Sequence, residues 1–395
     1  MVESYPLVTT FVTSLAIAFF LGFLANRLRL PTILGYLLAG VIIGPNTPGF
    51  IANIKIAEQL AEVGVILLMF GVGLHFSTKD LKTVHRTAVP GALIQMTLTT
   101  ICCLTISIWL GHSFAESLVF GITLSVASTV VLMRALEEHK ILDSHVGKIA
   151  IGWLIVEDIA MVVILVMLPF ISETLLEKNA HDFYSIFRTT IIVLAKIIAF
   201  VAIMMVFGKK LLPKILVSIT KTRSRELMTL GTITISSGFA FIAYTLFGAS
   251  FALGAFMAGF ALNESKIGQK LAEKSLPLRD IFAVLFFVSA GMLFNPKVLF
   301  EEPLLILTAF ILVTFGKGAV TYFIMKIFRQ TVSDRLILSA SLSQIGEFSF
   351  ILAALALKLK IFSPTVYDIV IASAILSIAI NPFLFRMAKR EVRSL

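Results

Sequence analysis

Glu157 and Asp158 are adjacent carboxylates near the middle of an otherwise uncharged apolar run, Ile149 to Ile171. At about 1.5 Å of rise per residue such a run spans a hydrocarbon core of roughly 30 Å, which puts the pair close to mid-depth. An ionisable group there costs at least about 3 kcal/mol on insertion scales. Two of them side by side point to chemistry with protons or cations. Lys317 and Glu347 lie deep in two other apolar runs. Successive helical residues point about 100° apart, so Glu157 and Asp158 do not easily share one partner. The economical arrangement pairs Glu157 with Lys317 and leaves Asp158 for a cation or a proton. A plainer reading of the pair is a salt bridge that holds two helices in register, and of Asp158 a protonated hydrogen-bond donor between helices. Glu347 has two readings: it neutralises the positive ends of broken half-helices, or it coordinates the ion. Lys196, nearer an end of its run, reads as a snorkelling side chain.

Uncharged polar residues cluster in two runs: Ser125, Ser128 and Thr129 in one, Ser341, Ser343 and Gln344 in the other. Their hydroxyl and amide oxygens suit a dehydrated monovalent cation as partial ligands. Any single membrane serine more commonly bonds the backbone one turn back. Gly346 permits a break in the second run. No Gly or Pro lies beside Ser128, so nothing local announces a break in the first.

The elements that position these residues are membrane spans. The chain has 395 residues, 58% hydrophobic and 14% charged, a balance that excludes a soluble globular domain. The apolar runs are too long for barrel strands. The net charge of +10 lies in short loops between runs, a membrane-topology signature and not a nucleic-acid footprint. Cys102 and Cys103 are neighbours in one run and read as packing residues. The run Leu7 to Leu24 lacks the basic flank and cleavage site of a signal peptide and reads as a retained first span.

Apolar runs between charged breaks give thirteen expected helices, at 6–26, 31–45, 57–76, 88–110, 115–136, 147–171, 187–207, 226–246, 249–263, 276–294, 303–326, 334–357 and 365–388. Alternate loops hold Arg27, Arg29, Lys79, Lys82, Arg86, Lys209, Lys210, Lys214 and Arg329, and the tail adds Arg386, Lys389 and Arg390. The other side holds only Lys55, Lys178, Arg188, Lys297, Lys358 and Lys360. The expected orientation is N-terminus outside and C-terminus cytoplasmic.

Three short patterns recur. Leu34-Gly35-Tyr36-Leu37-Leu38-Ala39-Gly40 matches Leu253-Gly254-Ala255-Phe256-Met257-Ala258-Gly259. Val72-Gly73-Leu74 matches Ala290-Gly291-Met292, and Ser125-Val126-Ala127-Ser128 matches Ser341-Leu342-Ser343-Gln344. Each pair is seven spans apart, and an odd separation means the second copy enters from the opposite face. That is an inverted repeat of six helices, the arrangement that lets a central site face either side in turn. The expected organisation is a first repeat over 1–171, a linker helix and loop over 172–222, and a second repeat with a short basic tail over 223–395.

Ser128-Thr129-Val130-Val131, the Glu157-Asp158 pair, Phe286-Phe287-Val288-Ser289-Ala290-Gly291-Met292 and Ser343-Gln344-Ile345-Gly346-Glu347-Phe348 resemble the monovalent cation:proton antiporter-2 family, in particular its Kef-type potassium:proton members. The resemblance covers essentially the whole chain. It implies an all-α multi-pass membrane protein with thirteen transmembrane helices in the sodium:proton antiporter (NhaA-like) fold, spans five and twelve being unwound where they cross. It implies a mobile core of spans 4–6 and 11–13 and a scaffold of spans 1–3 and 8–10 that forms a homodimer. Asp158 matches the family's ion-binding aspartate, and Lys317 the lysine that pairs with the residue before it. Kef proteins carry Gln before that aspartate and electrogenic sodium antiporters a second Asp, whereas this chain has Glu157. Kef-type chains also continue into a cytosolic nucleotide-binding regulatory domain. This sequence stops at Leu395 without a Gly-rich dinucleotide fingerprint, so such a gate is either beyond this chain or lacking.

The expected function is exchange of K+, or alternatively Na+, for H+ by alternating access in the bacterial inner membrane, in the service of pH homeostasis. Asp158 is the monovalent cation's ligand and the shared proton site, with Glu157, Ser128, Thr129 and Gln344 beside it and Lys317 and Glu347 compensating charge. No enzymatic activity and no resident cofactor is expected; the partners are the two ions and the bilayer. Alternatives are a gated potassium channel, though no Thr-Val-Gly-Tyr-Gly filter occurs, and a non-transporting sensor of the same fold. An intramembrane aspartyl protease needs two aspartates sharing a proton, and only Asp158 lies deep in a span.

Overall fold

The computed structural model is helical throughout. It describes residues 5–48, 52–75, 78–142, 144–176, 191, 195, 199–200, 202–222, 224–247, 250–263 and 266–394. The first seven helices are α1 (Pro6–Arg27), α2 (Thr32–Ile43), α3 (Ile54–His75), α4 (Thr78–Trp109), α5 (Phe114–Ser125), α6 (Thr129–Glu138) and α7 (His145–Leu176). A π-helical turn at Met204–Gly208 leads into α8 (Lys209–Lys221), followed by α9 (Arg225–Phe247), α10 (Phe251–Asn263) and α11 (Lys266–Leu293). After the single turn α12 (Val298–Glu301) come α13 (Pro303–Ile311), a π turn at Leu312–Gly316, α14 (Lys317–Ile327), α15 (Val332–Leu342), α16 (Glu347–Lys358) and α17 (Pro364–Ser394). Most of the expected seventh span, 187–207, including Lys196, lies outside the described residues.

Among the described residues, nine segments are long and apolar enough to cross a bilayer. Two of the nine are broken helix pairs, α5–α6 and α15–α16. In the apolar stretch of Val332–Lys358, 89% of the residues are buried, against 22% in that of Pro6–Arg27, so the second broken pair is packed by protein on nearly all sides and α1 leaves most of its residues exposed. Helix α2 is short because Pro31 sets its start and Gly44-Pro45 its end.

The chain forms two compact units that each draw on separated stretches of sequence. The first comprises Met1–Ala18, Phe50–Ser77 and Val162–Ser289. Its helices approach at glycine: a Cβ on Gly73 would strike the Phe256 carbonyl, and one on Gly259 the Phe70 carbonyl, so α3 and α10 touch backbone to backbone. Gly254 is pressed in the same way onto Phe239 and Ala240 of α9.

The second unit comprises Phe19–Gly49, Thr78–Met161 and Ala290–Leu395. Here Gly35 of α2 lies on the backbone of Leu21 and Gly22, and Gly291 of α11 on Leu37 and Gly40. A core of Leu132, Leu136, Ile149, Trp153, Met325, Leu338 and Phe385 joins α6, α7, α14, α15 and α17. Buried polar side chains also tie α4 and α5 to α7. Gln95 of α4 donates to the Ser125 carbonyl (3.0 Å) and accepts from Trp153 Nε1 of α7 (3.3 Å). The functional candidates all lie in this unit.

Gly259→Val is expected to force α3 away from α10 and to cost about 1–3 kcal/mol. A Cβ added at Gly238 of α9 would meet nothing within 4 Å, and Gly238→Ala is expected to be neutral or mildly stabilising. Thermal denaturation of the two variants in detergent, followed side by side, checks the contrast.

Candidate functional site

Both broken pairs unwind within a few residues. Val126 and Ser128 are extended, with φ/ψ of −97/138° and −83/122°, and the second break runs from Ser343 to Gly346. In hydrocarbon every freed peptide group must find an internal partner. Many of those at the two breaks find theirs in side chains or in the other break. The Val126 carbonyl accepts from Lys317 Nζ (3.3 Å) and from the Gly346 N–H (3.2 Å). The Ala127 N–H, the other end of the same peptide, donates to Glu157 Oε2 (2.8 Å). The Ser128 N–H donates to Gln344 Oε1 (3.1 Å), and Gln344 Nε2 returns a bond to the Ser128 carbonyl (3.1 Å). The Gln344 carbonyl accepts from Lys317 Nζ (2.6 Å), and the Ile345 N–H donates to Ser377 Oγ of α17 (3.3 Å).

Gly346 is explained by this crossing. A Cβ there would collide with the Ala127 carbonyl, so the two unwound segments meet at contact distance only because the residue is glycine. The π turn before α14 ends at Gly316, and Lys317, the next residue, is fully buried with its ammonium between two carbonyls from the two breaks.

The direct Glu157–Lys317 ion pair expected from the sequence is not made among the described residues. The two charges instead hold opposite ends of the Val126–Ala127 peptide. The physical reason is geometric: an ammonium already bonded to two freed carbonyls at mid-depth satisfies more buried polar groups than one bonded to a carboxylate.

Ser128 is the N-cap of α6. Its Oγ accepts from the Val131 N–H (3.2 Å) and donates to Glu347 Oε2 (2.9 Å). Glu347 is the first residue of α16, so its carboxylate stands at the N-terminal ends of both half-helices, where a negative charge is favoured. Thr129, next along, places Oγ1 at 3.4 Å from Asp158 Oδ2. Asp158 Oδ1 is buried and has no hydrogen-bond partner among the described residues, as has Glu157 Oε1. The structure thus brings Ser128, Thr129, Glu157, Asp158, Lys317, Gln344 and Glu347 together. Ser125, Ser341 and Ser343 do not join them: their hydroxyls bond the carbonyls of Ile122, Ile337 and Ser339 in their own helices.

Sequence reasoning passed over Gln95, Ser377 and Asn381. Each is a polar side chain in an apolar run and fully buried, the same signal that singled out Gln344. A carboxylate with an orphaned oxygen, a hydroxyl beside it and backbone broken on two helices form a set of hard oxygen donors suited to a proton or a monovalent cation.

Broken helices that cross around buried ionisable side chains are the architecture of discontinuous-helix membrane proteins. The chain belongs to the sodium/hydrogen exchanger family, whose transmembrane region matches residues 15–388. The solved structure of the sodium proton antiporter MjNhaP1 from Methanocaldococcus jannaschii at pH 8 matches it with a TM-score of 0.66, over 97% of this chain and 98% of that one. The identity is 16%, so what the two share is the sodium/proton antiporter fold. In sequence the chain is 50% identical, over 98% of its length, to YbaL of Escherichia coli strain K12, assigned as a cation/proton antiporter. It is 33% identical over 90% of its length to K(+) efflux antiporter 6 of Arabidopsis thaliana. The matches span 69% and 59% of those two proteins.

Lys317→Met is expected to leave the Val126 and Gln344 carbonyls without its ammonium and the Glu157 charge uncompensated, at a cost of about 3 kcal/mol or more. Adding Glu157→Gln should recover part of the loss. Melting curves of the single and double variants check both statements.

Proposed function

We propose that this chain exchanges a monovalent cation for protons by alternating access, K+ being favoured and Na+ possible, with Asp158 as the carboxylate for which the two compete. The observation that carries the reading is Asp158 Oδ1, a buried carboxylate oxygen without a partner among the described residues, beside Thr129 and two helix breaks. A bare charge at mid-depth is costly to move, whereas a carboxylate neutralised by H+ or by a cation is not. This difference couples the flows: the core crosses its barrier with either ligand bound and is held back when empty and ionised. The names of YbaL and of K(+) efflux antiporter 6 support the same activity and favour potassium.

Glu157 and Lys317 stay fixed on the Val126–Ala127 peptide through the cycle, so exchange is one for one and electroneutral. Glu347 offsets the positive ends of α6 and α16 and raises the demand for a positive ligand nearby. Gln344 and Ser128 clip one break to the other so that both move together.

We extend the reading to thirteen spans in two inverted repeats, with a core of spans 4–6 and 11–13 and a homodimerising scaffold. The recurrence of close contacts supports it. The Gly35 contact with Leu21 is matched by that of Gly254 with Ala240, and the Gly40–Gly291 contact by that of Gly259 with Gly73, at separations of 218 to 219 residues. Ala127 donating to Glu157 is likewise matched by Ile345 donating to Ser377. The setting is a bacterial inner membrane with the N-terminus outside, the C-terminus cytoplasmic, and any nucleotide-binding regulation supplied from beyond these residues.

Asp158→Asn removes the exchangeable charge and is expected to abolish cation-driven proton movement in proteoliposomes loaded with a pH-sensitive dye, while the protein still folds. Exchange persisting near the unsubstituted level would refute the assignment.

A further inference from the structure

Beside the site, in the same unit, lies a cavity of about 380 Å³ whose lining includes Arg29, Val131, Glu138, His139, Asn381 and Arg386. Two other cavities, of about 30 and 10 Å³, have room for little more than one water each. The large one holds on the order of ten waters, enough for a hydrated cation. Its Arg29 and Arg386 belong to the basic set of loops, so it opens on the face where positive residues concentrate. Its lining also includes Val131, whose N–H bonds Ser128 in the first break.

Asn381 lines this cavity and is fully buried. Its Nδ2 donates to the Ala340 carbonyl of α15 (2.8 Å), which fixes the amide's orientation, since a carbonyl accepts only from the NH2 side. Oδ1 is thereby the amide's remaining acceptor; it is buried beside the cavity and has no partner among the described residues. One turn back on the same face of α17, Ser377 accepts the Ile345 N–H inside the second break. The helix therefore presents a polar track from the cavity to the crossing.

We propose that Asn381 Oδ1 is the admission ligand for the transported cation on the basic face. It replaces water as the ion sheds hydration and hands it along α17 toward the breaks. This rests on the antiport reading above and adds a side-specific binding step to it. Asn381 is a specificity-determining residue for one direction of loading, separate from the shared site at Asp158.

The test supplies the cation from either face of oriented proteoliposomes. Asn381→Leu removes the oxygen and is expected to raise the half-saturating cation concentration about tenfold from the Arg29/Arg386 face, and by no more than about twofold from the other. Asn381→Asp keeps an oxygen but loses the donor to Ala340, and should stay within about threefold of the unsubstituted protein from both faces. An equal rise from both faces, an equal rise in both variants, or no rise overturns the proposal. Should Asn381→Asp not fold, Asn381→Cys in a background lacking Cys102 and Cys103 carries the test. Labelling by a charged thiol reagent from the Arg386 face, slowed by the cation, supports it, and no labelling overturns it. All these variants keep Asp158, so a failure here leaves the antiport reading standing, whereas absent exchange in the unsubstituted protein would remove that reading.

Discussion

The Val126–Ala127 peptide is held at both ends by buried charge, Lys317 on its carbonyl and Glu157 on its N–H. A peptide group unwound from a helix at the centre of a membrane has no water to turn to, and each unmet donor or acceptor there costs several kcal/mol. The broken geometry exists because these two side chains, with Gln344, Gln95 and Ser377, take the place of the missing helical bonds. Removing them would favour a continuous α5–α6 helix. The peptide between the charges is polarised by both, which strengthens each bond beyond what either would make alone.

Commitment of Glu157 and Lys317 to the backbone decides which buried carboxylate oxygens stay unbonded. Glu347 accepts from Ser128 at the mouth of two half-helices, and Glu157 gives one oxygen to Ala127. Asp158 bonds only Thr129 among the described residues, at the long distance of 3.4 Å, and keeps an oxygen free. A rigid charged frame around one loosely held carboxylate is the arrangement expected of a site whose ligand changes during each cycle. The close approach of the two breaks at Gly346 makes them a single object, so a shift of one carries the other.

Much of this was legible in the sequence because membranes penalise polar residues so heavily. Glu157, Asp158, Lys317, Glu347 and Gln344 stood out as exceptions in apolar runs, and the structure gathers all five. The family resemblance supplied the break in α5–α6, which no local residue announces, since its cause is tertiary: the partners that permit it lie on α4, α7, α14 and in the other break. For the same reason the sequence misassigned the Glu157–Lys317 contact. Helical wheels give directions of side chains and say nothing about freed carbonyls that compete for an ammonium. Serine was the least readable type, as Ser128 and Ser377 serve the breaks while Ser125, Ser341 and Ser343 bond their own helices.

The central claim is that proton and cation compete for one carboxylate. The most direct measurement is the proton release that accompanies K+ addition to the purified protein in weakly buffered detergent, followed with a pH indicator. The account gives one proton released for each cation bound, and no release when Asp158 is replaced by Asn. Saturable K+ binding without proton release, or release undiminished by that substitution, would contradict it.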